Sequence, residues 1–121
     1  MTNVVPIRAL SQALVDQFVT FAIEQGAMVA NNDTRRANWL FDQLAIIENE
    51  LTARGDKGML LGLLQHPDAW VRLVAAQKMV GEAPEMSRKV LEDLEASKTA
   101  PACFEAGMAL MYLDKGIWVS K

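Results

Sequence analysis

From Leu14 to Leu113 the apolar residues of this chain recur three and four positions apart, and the runs are broken by glycine, proline and asparagine. A helix turns once in about 3.6 residues, so this spacing gathers apolar side chains onto one face. No segment alternates every second residue with β-branched side chains, and no Asn-Gly or Asp-Gly hairpin signal is present. The chain is expected to be all-α.

Six helical segments follow from the breaks. Ser11 opens the first, with Leu14, Phe18, Phe21, Ala22 and Met28 or Val29 on its stripe, and it ends near Ala30. Asn31-Asn32-Asp33-Thr34 interrupts the chain and supplies caps for a long second helix. There Leu40, Leu44, Ile47 and Leu51 form the stripe, Arg36, Asp42, Glu48 and Glu50 read as polar flank, and Gly55 closes it. Lys57 to Leu64 is a short apolar helix stopped at His66-Pro67, because the residue before proline is pushed out of helical geometry. Asp68 caps the next, Ala69 to Val80, with Val71, Val74, Ala75 and Met79 as its core stripe. Glu85 to Ser97 carries Met86, Val90, Leu91 and Leu94, and Pro101 begins a sixth helix that runs to Gly116.

At 121 residues, 51% of them hydrophobic and 22% charged, the chain suits a single domain over 1–121 with an ordered core of about 11–118. No apolar stretch is long enough for a membrane span, and the first residues lack the pattern of a secretion signal. The single cysteine, Cys103, suits a reducing compartment, so a cytoplasmic location is expected. Twelve basic against fifteen acidic residues give a net charge of −3. Strong nucleic-acid binders present a net basic surface, so this balance weighs against that class and would complement a basic protein partner.

Internal similarity distinguishes a stack of hairpins from a closed bundle. Pro67 and Pro101 stand 34 residues apart, each followed three positions on by an aromatic, Trp70 and Phe104, and then by Ala75 and Ala109. Asp33 to Ala37 resembles Asp68 to Arg72 at a similar shift. About three helix pairs with such a period suggest a solenoid. The stretch Leu63 to Ala76, with its His66-Pro67-Asp68 turn, closely resembles the turn and second helix of a HEAT repeat. In it Pro67 and Asp68 stop one helix and start the next, Arg72 is placed to pair with Asp68 or with a carboxylate of the adjacent repeat, and Ala75 and Ala76 allow a tight helix contact. More broadly the chain resembles a small bacterial HEAT-like domain family of unknown function. The matching residues are Asp33 and Asn38 before Phe41 to Leu44, Leu51 to Gly55, and His66 to Ala76, within a span of about residues 11 to 113. The third pair departs from the pattern, with Ala102 and Ala106 in place of Asp68 and Arg72, as a terminal cap would.

Catalytic chemistry finds little footing. His66, the only histidine, sits in a repeat turn, Cys103 has no evident cation beside it, and Glu92, Asp93 and Glu95 diverge around a helix. No cofactor or metal is expected, and the chain reads as a non-enzyme. The resemblance implies that second helices of successive repeats line an inner surface. Arg35, Asn38, Trp39 and Asp42 would then lie alongside Trp70, Leu73 and Gln77 as one polar and aromatic partner-binding face, while Asp68, Arg72, Ala75 and Ala76 are structural. Trp118 is expected to fold back over the open end of the stack. The expected function is a non-catalytic protein-binding module, such as an immunity protein that neutralises a toxin. The alternatives are a nucleic-acid-binding protein using Arg35, Arg36 and Arg72, and a homo-oligomeric structural protein.

Overall fold

The structure is a computed structural model that describes residues 7–116, and the expectation for Trp118 lies outside them. Helix α1, Ile7–Ala30, ends where Asn32 takes a left-handed conformation at φ 60°. Asparagine tolerates that region better than most side chains. Asp33 then caps α2, Thr34–Ala53, accepting a hydrogen bond on its side chain from the Arg36 backbone N–H at 3.1 Å. Gly55 reverses the chain at φ 76°, a conformation that costs glycine least.

The third apolar run, Lys57–Gln65, is a 3-10 helix rather than an α-helix. In 3-10 geometry residues three apart eclipse one another, which stacks Leu60 over Leu63, both buried. Extended backbone at His66 ends it, as the following proline requires. Helix α3, Ala69–Met79, begins at Asp68, whose carboxylate accepts from the Val71 N–H at 3.0 Å. Helix α4, Pro84–Ser97, has proline in its first turn, where no N–H is needed. Lys98 leads on in left-handed geometry, and α5, Ala102–Asp114, starts one residue later than Pro101 suggested.

Among the described residues there are no strands. Each helix packs mainly on its chain neighbour: α1 on α2, the 3-10 helix on α3, and α4 on α5. Helix α3 is the hub, because it also touches α1, α4 and α5. Seven of its eleven residues are buried, so the one-sided stripe expected of it is widened to nearly the whole circumference. Ala75 and Ala76 are both wholly buried, in keeping with a close helix contact.

Helix α1 meets this hub at Gly26. A Cβ built there would lie 2.8 Å from both Cβ and Cγ of Trp70, atoms that cannot swing away without moving the whole indole. Two cross-links then set the direction of α2 against α3. Gln25 contacts the start of each, through Ala37 and Trp70, while Glu48 of α2 meets Lys78 late in α3. The two helices therefore run the same way, yet they scarcely touch. A cleft lies between them.

In helical propensity Gly26→Ala gains up to about 1 kcal/mol, against an overpacking cost of about 1–3 kcal/mol. We expect the clash to win and the melting temperature to fall; a higher melting temperature would show that Trp70 can retreat from α1.

Candidate binding cleft

The cleft between α2 and α3 encloses about 590 Å³. On the α2 side Asn38, Phe41, Ala45 and Asn49 follow one another at helical spacing. Trp70, Leu73, Val74 and Gln77 form the α3 side, Val29 and Gln25 enter from α1, and Glu105 enters from α5. The middle is apolar and the ends carry amides.

Trp70 and Leu73 belong to the floor of this cleft, not to an exposed face. Trp70 is 9% exposed and Leu73 1%. The indole Nε1–H donates to Gln25 Oε1 at 2.9 Å, and the Gln25 amide in turn donates to the Ala37 carbonyl at 3.4 Å. A buried indole needs such an acceptor, since an unmade hydrogen bond in a core is costly.

The expected continuous face of seven residues is thus divided. Asn38 and Gln77 do line the cleft, but Trp39 projects to the other flank of α2. There it meets Phe21 edge to face, with ring centroids 5.9 Å apart, and the Arg36 guanidinium lies 4.3 Å from its ring centroid. Arg35 and Asp42 are exposed and outside the cleft lining. Trp39 directly follows Asn38, and a single step of about 100° around the helix moves a side chain from one flank to the other.

Arg72 also departs from expectation. It donates to the backbone carbonyls of His66 at 2.8 Å and Pro67 at 3.0 Å, and so braces the turn itself instead of pairing with a carboxylate. Arg36 holds Glu24 through two hydrogen bonds, which lower the pKa of Glu24 from its ordinary value. None of the three arginines considered for nucleic acid lines the cleft.

Several cleft residues escaped the sequence reading. Phe41 is 58% exposed at the lip, and Lys78 Nζ lies 5.4 Å from its ring centroid. Glu48, expected on the polar flank, is buried and bracketed by two lysines, with Lys78 Nζ at 3.1 Å and Lys57 Nζ at 3.4 Å. Lys57 also reaches Glu82 at 2.8 Å. Burial acts to lower the pKa of Lys57, but its hydrogen bond to Glu82 and the nearby charges of Glu48 and Glu82 prevail and raise it. Charged residues in a row along α2 look alike in sequence, and the two lysines that enclose Glu48 come from distant segments.

His66 Nδ1 accepts from the Asp68 N–H at 3.0 Å, within the turn, and Cys103 is a buried free thiol. Among the described residues no cluster of three or more His, Cys, Asp or Glu side chains is placed to hold a metal, and no helix is long and apolar enough to cross a membrane.

The chain belongs to a family described as a domain of unknown function (DUF2019), whose model matches residues 12–114. It is similar to the crystal structure of the protein RPA1889 from Rhodopseudomonas palustris CGA009, with 39% identity over 92% of this chain and 93% of that one and a TM-score of 0.84. That likeness extends the all-helical fold to a bacterial protein. No curated protein matches the chain.

Trp70→Phe keeps most of the apolar volume but leaves Gln25 Oε1 without its buried donor. We expect a loss of about 1–3 kcal/mol in urea unfolding. An unchanged unfolding midpoint would mean that the indole hydrogen bond contributes nothing to holding α1 on α3.

Proposed function

We propose that this chain is a non-catalytic protein-binding module, a short HEAT-like stack of about three helix pairs that receives a segment of another protein between α2 and α3. The observation that carries this reading is Phe41, a large aromatic exposed at the lip of a cleft whose floor is apolar. Exposed aromatics beside such a floor are the usual anchors of protein interfaces. The common direction of α2 and α3 supports the HEAT-like reading, since second helices of successive repeats run side by side. A cytoplasmic protein that neutralises a toxin is one role that fits such a module.

The nucleic-acid alternative draws less support, because Arg36 and Arg72 are already engaged by Glu24 and by turn carbonyls. Self-association draws more. Phe104, Met108 and Met111 stand exposed at 69%, 46% and 42%, and their spacing puts them on one side of α5.

Two experiments separate the readings. Phe41→Ser should keep the melting temperature within a degree or two and weaken binding of a purified partner, first identified by capture with the unaltered chain, by about tenfold or more. Equal binding by both forms would remove the cleft from the interface. Light scattering should report a dimer or larger species that Phe104→Arg converts to monomer if α5 mediates self-association; a monomer at high concentration in the unaltered chain would end that reading.

A further inference from the structure

The chemistry of the cleft narrows what it would accept. We infer that its occupant is a short, extended peptide segment carrying a lysine or arginine among apolar residues, and this rests on the binding-module reading above.

Length and hydrogen bonding favour an extended chain. Asn38 and Asn49 lie on one side of α2, eleven residues apart, which at about 1.5 Å per residue is about 16 Å. Five residues of extended chain, at about 3.3 Å each, span the same distance. Gln25 is engaged with Trp70 and Ala37, whereas Asn38, Asn49 and Gln77 make no side-chain hydrogen bond among the described residues. A primary amide offers both a donor and an acceptor, which is what the open backbone of an extended segment lacks. A helical segment satisfies its own backbone and would leave all three amides idle. Alternate side chains of an extended segment point the same way, and here they would meet the apolar floor at Trp70 and Leu73.

Charge selects among extended segments. Two charged groups of the cleft, Glu48 and Lys78, neutralise each other at 3.1 Å. Glu105, half-buried on the lining, makes no ion pair among the described residues. The charge left facing an occupant is therefore a carboxylate, and the net charge of −3 on the whole chain adds to the attraction for a cation.

A displayed library of random nine-residue peptides, selected on the full chain, tests this, with enriched peptides synthesised and titrated by calorimetry. We expect a basic residue next to apolar residues at every second position. Asn49→Ala should weaken such peptides by about tenfold or more without altering the melt, and Glu105→Arg should shift the enriched charge from basic to acidic. An acidic or uncharged consensus, or apolar residues spaced three and four apart, overturns the inference; if that binding still depends on Phe41, the binding-module reading stands. Peptides indifferent to Phe41→Ser, or no enrichment at all, overturn both.

Discussion

The indole of Trp70 is the joint on which three helices depend. Its ring lies against the backbone of α1 because position 26 has no side chain, and its N–H is held by Gln25, which also reaches the α2 carbonyl of Ala37. One side chain thus fixes how far α1 stands from α3, and through Gln25 where α2 begins. Packing of this kind has little tolerance, since interiors are as dense as organic crystals. A change of one methyl group at the contact is felt along both helices.

At the far end of the cleft α2 and α3 are tied by charge. Glu48 of α2 is enclosed by lysines from the 3-10 helix and from α3, so the separation there is set by ion-pair lengths and not by interdigitated side chains. A gap bounded by one aromatic joint and one ionic tie need not be filled between them. That is why α2 and α3 stay apart without a continuous ridge of contacts, and why a cleft remains between them.

The helices were legible because each break has a local chemical cause: Asp33 and Asp68 as caps, Gly55 as a reversal, Pro67 as a stop. These are short-range effects, and the structure keeps them all. The 3-10 form of Lys57–Gln65 was not, because Leu60, Leu63 and Leu64 suit either helix type on spacing alone. Burial was the harder inference. A stripe on α3 correctly marked Val71, Val74, Ala75 and Met79, but a helix packed against α1, the 3-10 helix, α4 and α5 is covered from several sides, which brings Trp70 and Leu73 inside as well. Only Asn38 and Gln77 of the expected face reach the cleft as wall residues. Phe41 read as part of a family-like segment and not as an anchor, and no spacing rule links Gly26 to Trp70 or Glu48 to Lys57, whose contact depends on the turns in between.

Two of the ionic features of α2 differ in their exposure to solvent, and that gives the molecule an uneven response to ionic strength. Arg36 and Glu24, on the outer flank, have side chains 43% and 35% exposed, within easy reach of counterions. Glu48 is 6% exposed, and the lysines around it 13% and 17%. Added salt screens exposed pairs far more than enclosed ones. As electrolyte rises, the Trp39 flank should loosen first while the spacing of α2 from α3 is retained, so that the cleft keeps its shape after the outer surface of α2 has lost its ionic support.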